Sequence, residues 1–388
     1  MTISAFSFPN KSFTGWGAKN KLVEVVDFYK AENILCITDN VLVELGIVER
    51  ALQEVQEGRR HIAFYADFEM EPSLNCAQKL VDYMKEYNFD LVLGIGGGST
   101  LDLAKLAAVL AVHEGDVKDY LNLTGSKKIK KRGLPTVLMP TTAGTGSEVT
   151  DISVLSLSST KDVITHEYLL ADVAIVDPAL TVSVPPRVTA ATGVDALTHA
   201  IEAYVSVQAN DLTDALALRA VELITASLEQ AFINGKDREA RTKMSMGSFL
   251  AGISFFHAGV AGVHALAYPL GGQFHIAHGE ANAVLLPYVM NYIRPNCTER
   301  LADLYAIWTK NYSLGDEEAA EKFIEHLVAL VEAVKIPKNL QQLQIDKEAL
   351  PKLTADAIKQ TRLLARSPRK LDKKAIYHIY ERAYFGTV

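Results

Sequence analysis

The sequence predicts an α/β domain with a parallel, Rossmann-like sheet over residues 1–182, followed by an all-helical domain over residues 183–388. Three observations lead to this prediction. The chain has 388 residues, 49% of them hydrophobic, which is more than a single hydrophobic core usually accommodates. Up to about residue 180, short β-rich segments alternate with amphipathic ones, as in a sheet covered by helices. Beyond Pro185 and Pro186, Ala- and Leu-rich segments with helical spacing replace them.

Local patterns assign the individual elements. The clearest predicted strands are short and apolar; in chain order they are NILCIT, RHIAFYA, DLVLGIG, PTVLMP and DVAIVD. The clearest predicted helices cover residues 212–229 and 317–334. The hinge between the two domains is expected at the prolines between residues 178 and 186.

Composition and charge exclude several classes of partner. The net charge of −7 offers no electrostatic footprint for nucleic acid, and the basic run from Lys127 to Arg132 is predicted to be a solvated loop. The three cysteines, Cys36, Cys76 and Cys297, are widely spaced and odd in number, which suits a reducing compartment. No apolar stretch approaches the roughly 18 residues of a membrane span, and the N-terminus lacks a secretory pattern. We therefore expect a cytoplasmic protein with no nucleic-acid or membrane partner.

A glycine-rich turn follows the predicted strand DLVLGIG. It consists of Gly96, Gly97, Gly98 and Ser99, and a helix is expected to begin near Thr100. Bare backbone N–H groups at a helix N-terminus favour a diphosphate. The third glycine of the usual G-x-G-x-x-G pattern is replaced by Ser99, and no acidic residue follows about twenty positions later. The sequence therefore predicts a dinucleotide site, but not a standard Rossmann unit.

Two further segments would complete such a site. Asp39 comes just after the strand NILCIT, where a carboxylate can accept hydrogen bonds from a ribose and would repel the 2′-phosphate of NADP. This placement favours NAD, although Asp39 could equally cap the next helix. The segment PTTAGTGSE offers hydroxyl donors from Thr141, Thr142 and Thr145. Alone it could be only a turn, but two such clusters at strand ends in one sheet should converge on one crevice.

A second candidate site comes from four residues of the kind that bind metals. Asp195 and His199 are four residues apart within ATGVDALTHAIEAY, so on a helix they lie on one face and can bind the same ion. His264 and His278 are separated by Pro269 and two glycines, so they are expected on two elements joined by a tight turn. Single histidines on apolar faces are usually core residues. The combination nevertheless favours a metalloenzyme.

These residues carry a family resemblance over essentially the whole chain. The segments AIVDPALTVSVPPRVTAATGVDALTHAIE and HALAYPLGGQFHIAHGEANAVLLPYVMNY resemble the two signature motifs of the iron-containing (group III, iron-dependent) alcohol dehydrogenases. The resemblance implies a dinucleotide-binding α/β domain, a helical metal domain and a homodimer or larger homo-oligomer. It implies metal binding by Asp195, His199, His264 and His278. It also implies NAD binding by Asp39, Gly96, Gly97, Gly98, Ser99, Thr141, Thr142, Thr145 and Lys161.

The chain departs from the family pattern at several positions near the expected substrate and cofactor. Tyr268 replaces a histidine that many members carry, and its hydroxyl, with an ordinary pKa of about 10, is a poorer proton relay than imidazole. His275 is the alternative relay, or else a supporting or surface residue. His257 stands where asparagine is common, Glu71 replaces asparagine on the adenosine side, and Asp151 stands where a basic or amide residue is frequent.

The expected activity is NAD(H)-linked hydride transfer between nicotinamide and a small primary alcohol or aldehyde. A divalent metal bound by one carboxylate and three imidazoles would activate the alcohol oxygen. These ligands suit Fe(II) or Zn(II), and the resemblance favours iron. Three phenylalanines, Phe249, Phe255 and Phe256, could line a pocket for an apolar substrate or belong to a helix core. Alternatives are a glycerol-dehydrogenase-like polyol enzyme and a dehydroquinate-synthase-like lyase, which would need several cationic side chains near the metal.

Overall fold

The computed structural model describes residues 4–56, 58, 60–157 and 161–388. The chain divides into two compact units. One unit is Ser7–Val182, and the other is Ser183–Val388 together with the N-terminal segment that ends at Phe6.

A six-stranded parallel sheet forms the centre of the first unit. The strands of this unit are β1 Lys11–Thr14, β2 Asn33–Ile37, β3 His61–Tyr65, β4 Leu91–Gly96, β5 Thr136–Pro140, β6 Ile152–Ser156, β7 Lys161–Thr165 and β8 Val173–Val176. The strand order in the sheet is β1-β8-β5-β4-β2-β3. The predicted parallel sheet is thus confirmed, and all five predicted strands belong to it. The short edge strand β1 and an antiparallel hairpin formed by β6 and β7 were not predicted.

Helices cover both faces of this sheet, so that alternate residues of each central strand contribute to separate cores. The helices of this unit are α1 Leu22–Phe28, α2 Asn40–Glu44, α3 Ile47–Gln56, α4 Leu74–Glu86 and α5 Gly98–Leu110. One core includes Leu35 and Leu138 and the helices α4 and α5, whereas the other includes Ile34 and Val137 and the helices α1 and α3.

The helix that follows the glycine-rich turn differs from the prediction. Helix α5 begins at Gly98 instead of near Thr100, and it is not amphipathic, because every side chain from Thr100 to Leu110 is buried. Its two charged residues are satisfied internally. Lys105, with no exposed surface, donates to the carbonyls of Ser147 and Ile152 and pairs with Asp102 at 3.0 Å. A charged pair that appears typical of a helix surface is therefore part of the interior.

The second unit contains helices without strands in the residues that the structure describes, as predicted. The helices are α6 Pro186–Val205, α7 Asp211–Thr225, α8 Leu228–Ile233, α9 Arg238–Ala258, α10 Gly262–Phe274, α11 His278–Ile293, α12 Thr298–Thr309, α13 Asp316–Ala333, α14 Leu350–Ala357, α15 Thr361–Leu364 and α16 Lys373–Phe385. The expected helix over 212–229 is interrupted, because the chain turns at Ala226 and Ser227 between α7 and α8. Helix α6 packs against α7, α9 and α11, and α10 packs against α11 and α14.

Across the described residues, no individual helix has the length and apolar composition to cross a membrane. The pair α9 and α10 satisfies these criteria only when the two are taken together, and they are bent by 103° where they meet.

Candidate functional site

Four side chains from three helices of the second unit converge on one point. Asp195 and His199 belong to α6, His264 to α10, and His278 is the first residue of α11. One ligand atom from each lies within 4.8 Å of all the others. Three of these residues are buried, whereas the side chain of His278 is 29% exposed. The cluster therefore has the size of a metal centre and one partly accessible member.

The local sequence explains this convergence. The spacing of four places Asp195 and His199 one turn apart on α6. His264 and His278 lie on separate helices, as expected, but α10 continues through Pro269 and ends only at Phe274. Pro269 and the two glycines therefore lie inside α10, and the turn that separates the two histidines is the short segment between Phe274 and His278. Gly279 lets α11 approach α6, since a Cβ there would lie 2.5 Å from the Ala191 carbonyl oxygen.

A buried carboxylate that was not predicted orients one of the four ligands. Glu202, which has no exposed surface, accepts hydrogen bonds from the backbone N–H groups of Ala261 at 3.0 Å and Val263 at 2.6 Å. Its third partner is Nδ1 of His264, at 2.6 Å. A carboxylate can only accept, so Nδ1 carries the proton and Nε2 presents its lone pair to the cluster. The spacing from Asp195 and His199 to Glu202 places all three on one face of α6, a signal already present in the sequence.

Asp195 is ionised in this setting. Burial acts to raise the pKa of its carboxyl group, but His199, His278 and His264, together with a hydrogen bond from Asn282, outweigh that effect, and the pKa is lowered. An anion among three imidazoles is the donor set that a divalent cation of borderline softness accepts. The residues present therefore fit a catalytic metal.

Aromatic rings enclose the cluster on one side. The ring of His199 stacks between Phe255, with centroids 4.2 Å apart, and His264, at 4.7 Å. The other two phenylalanines were expected either in a pocket or in a helix core; the Phe256 ring lies 4.6 Å from that of His257, and Phe249 is buried.

The two predicted relay residues have different surroundings. Tyr268 is half-buried on α10, and its ring centroid lies 6.0 Å from that of His278. His275 is exposed and ends α10 in the left-handed conformation, with φ 55°. Tyr268 is thus beside a metal-type ligand, whereas His275 is a surface residue at a helix terminus.

The first unit brings together most of the residues that were predicted to bind a dinucleotide. The glycine turn follows β4 and leads directly into α5. A Cβ at Gly98 would lie 2.7 Å from the Thr145 side chain, and one at Gly97 would lie 3.7 Å from Thr142. The backbone N–H of Thr141 donates to the Gly96 carbonyl at 3.0 Å. The two glycine-containing clusters are therefore in contact at the carboxyl ends of β4 and β5, as expected for a ligand site in a parallel sheet.

Asp39 and Lys161 have structural partners of their own. Asp39 caps α2, accepting from the Leu42 N–H at 2.9 Å, so the simpler of its two predicted roles is present. Lys161 is buried and pairs with Glu71 at 3.0 Å. The backbone N–H of Glu71 donates to the Ser99 hydroxyl at 3.1 Å. Glu71 thus links the glycine turn to the β6–β7 hairpin.

One further acid lies within the second glycine-containing cluster. Glu148 is only 2% exposed, and burial raises its pKa to about 7. A hydrogen bond from its own backbone and the positive charge of Lys105 oppose this rise.

Comparison with known proteins identifies the family. Residues 9–178 match the family described as iron-containing alcohol dehydrogenase, and residues 189–384 match the C-terminal region of the same family. The chain belongs to the iron-containing alcohol dehydrogenases. Long-chain-alcohol dehydrogenase 1 of Geobacillus thermodenitrificans is 57% identical to it, over 100% of this chain and 98% of the relative.

Solved structures with related sequences have the same fold. A 1,3-propanediol oxidoreductase is 34% identical, with a TM-score of 0.94 over 99% of this chain and 100% of its own. The sulfoacetaldehyde reductase of Bifidobacterium kashiwanohense, solved in complex with NAD⁺, is 26% identical, with a TM-score of 0.88 over 99% of both chains. This chain is accordingly an oxidoreductase of the alcohol dehydrogenase and aldehyde reductase type, and the family implies NAD and a metal. Neither the polyol dehydrogenase nor the lyase alternative is favoured.

Proposed function

We propose that this protein interconverts a primary alcohol and its aldehyde at a single divalent metal held by Asp195, His199, His264 and His278. The observation that supports this proposal most directly is the convergence of these four ligand atoms within 4.8 Å in a largely buried setting. The family favours iron, and zinc suits the same ligands. In this proposal, residues 183–388 form the metal and substrate domain and residues 1–182 the NAD-binding domain.

The proposed NAD site uses the carboxyl end of the parallel sheet. The turn at Gly96, Gly97, Gly98 and Ser99 would receive the pyrophosphate at the N-terminus of α5. Asp39 would accept from the ribose with the carboxylate oxygen that does not cap α2, which disfavours NADP. The remaining contacts are assigned to Thr141, Thr142, Thr145 and Lys161, whose proximity to the turn supports the assignment.

The reaction removes a hydride and a proton from the alcohol, and the reverse reaction returns both to the aldehyde. When bound, the metal would act as a Lewis acid on the substrate oxygen, and NAD would accept the hydride from the adjacent carbon. The anionic Asp195 would provide the negative charge that a bound divalent cation needs. Glu202 fixes the tautomer of His264 so that Nε2 faces the centre. Tyr268 is the proposed hydrogen-bond partner of the substrate. His275, which lies on the surface, is the proposed alternative for relaying the proton.

The substrate class is proposed to be primary alcohols and aldehydes with an apolar chain. Phe255, stacked on His199, offers an aromatic surface next to the metal ligands. The 57%-identical relative is named for long-chain alcohols, which supports extending the test beyond small substrates. We further propose a homodimer or larger homo-oligomer and a cytoplasmic location; burial of all three cysteine thiols is compatible with the latter.

Metal-dependent turnover tests the proposal. Protein purified without oxygen is stripped with a chelator, reloaded with Fe(II) or Zn(II), and assayed for NADH oxidation with straight-chain aldehydes of increasing length. Turnover should return only with metal and should improve as the chain lengthens. Equal activity before and after reloading would refute the metal role, and silence with every aldehyde despite bound metal and NADH would refute the substrate class.

A further inference from the structure

A fifth side chain contacts the cluster of metal-type ligands. Asn282 lies on α11, one turn after His278, and has no exposed surface. Its amide nitrogen is 2.7 Å from Oδ1 of Asp195, and 3.2 Å from Nε2 of both His264 and His278. One amide group therefore touches three of the four ligand atoms, and these three come from three different helices.

The chemistry of these contacts identifies their direction. The Asn282 amide nitrogen carries two N–H groups and can only donate, so it donates to Oδ1 of Asp195. His264 donates from Nδ1 to Glu202, so its Nε2 offers a lone pair and is a second acceptor. The amide thus turns its positive edge toward Oδ1 of Asp195 and Nε2 of His264, and it lies at the same distance from Nε2 of His278 as from Nε2 of His264. It reduces their mutual repulsion and favours their convergence.

The other end of this side chain shows that packing alone does not explain it. The Asn282 amide oxygen is buried without a hydrogen-bond partner among the described residues. A buried unpaired carbonyl is unfavourable, and an apolar residue of the same size would avoid it. The compensating interactions are those at the nitrogen. They matter most for His278, the most exposed ligand of the four, whose Nε2 lies 3.8 Å from Asp195.

We propose that Asn282 is a positioning residue of the metal centre: it holds Asp195, His264 and His278 in convergent orientations and so sets how tightly the ion is bound. This inference rests on the metal centre of the proposed function, but it concerns ion affinity and does not depend on the substrate or the reaction. Residues that orient metal ligands typically change metal affinity about ten- to hundredfold when replaced.

The test compares Asn282→Leu and Asn282→Ala with a matched control. Leucine keeps the volume and removes the polar contacts, whereas alanine cannot overpack the site. The control is Thr198→Val, which also removes a buried polar group next to a ligand, since Thr198 precedes His199 and donates to the Val194 carbonyl of its own helix. Affinity for Co(II) is measured by competition with a chelator, and the visible absorption of bound Co(II) reports the ligand geometry.

Both Asn282 variants should bind Co(II) about ten- to hundredfold more weakly than the wild type, with an altered absorption band, while Thr198→Val stays within about twofold. Thermal melting of the metal-free proteins identifies any variant that does not fold. If the leucine variant does not fold, the alanine variant provides the test. Wild-type affinity and an unchanged band in a folded Asn282 variant would overturn the inference. Failure of the wild type itself to bind a divalent ion would instead overturn the proposed metal centre.

Discussion

Replacing Glu202 with glutamine should weaken metal binding while leaving the helical unit folded. The carboxylate has no exposed surface and receives three donors, from Ala261, Val263 and His264. Glutamine retains one oxygen, but its amide nitrogen would face one of these donors. Because both Glu202 oxygens accept from the chain at present, at least one hydrogen bond to a charged group is lost, and each contributes about 1.5–3 kcal/mol.

If His264 is the donor that loses its hydrogen bond, the affinity for the ion should fall about ten- to hundredfold, since 1.4 kcal/mol is about one factor of ten. Alanine would be a poorer choice. It would leave all three donors buried without an acceptor, which costs about 1–3 kcal/mol for each donor. The total is comparable to the stability of a whole domain, about 5–15 kcal/mol. The glutamine variant therefore separates positioning from folding.

The assay is isothermal titration of metal-free protein with Zn(II), run beside thermal melts without metal. Glu222→Gln is the control, because Glu222 forms partly exposed ion pairs with Lys310 and Arg219 and should contribute under about 1 kcal/mol. Zn(II) affinity in Glu202→Gln equal to that of the control would refute the view that Glu202 orients His264.

Three further outcomes are expected. His264→Ala should abolish metal retention and turnover but leave NADH fluorescence titrations nearly unchanged; activity at the wild-type level would remove His264 from the site. Asp39→Gly should relax the preference for NADH over NADPH, and Asp39→Ser, which can still cap α2, should do the same with less effect on stability; an unaltered ratio of the two affinities would exclude a ribose role for Asp39. Glu148→Gln should stabilise the first unit at high pH. Folding raises the pKa of Glu148 from its ordinary 4.5 to about 7, so the neutral carboxyl contributes fully to wild-type stability below about pH 4.5. That contribution, up to about 3 kcal/mol of the free energy of unfolding, is lost as the pH rises through 7. Urea unfolding of both proteins at pH 5 and pH 8 measures this effect. The same difference in free energy of unfolding between variant and wild type at the two pH values would contradict it.

The sequence was most informative where a local pattern is sufficient. Buried strands such as DLVLGIG, the glycine turn and the spacing of Asp195 and His199 were all identified, because each depends on neighbouring residues. The convergence of the two glycine-containing clusters follows from the same predicted strands, since parallel strands share one carboxyl edge.

The features that were missed depend on contacts between distant segments. From the sequence alone, Lys105 resembles a surface residue of an amphipathic helix. Only the fold shows that it is buried and donates to the carbonyls of Ser147 and Ile152. The hairpin of β6 and β7 has no turn signature of the common two-residue type. Glu202 and Asn282 lie on the same helix faces as the ligands, yet only the approach of α10 and α11 gives them their roles.

The buried ammonium group of Lys105 has a consequence for how the first unit opens. Lys105 belongs to α5, whereas its acceptors at Ser147, Thr150 and Ile152 lead into the hairpin. Detaching the hairpin alone would remove the Ile152 acceptor from a buried cation, which is a costly intermediate. The hairpin and α5 are therefore expected to separate from the core as one cooperative unit. We therefore expect β6 to open less often than a surface strand that has no such contact.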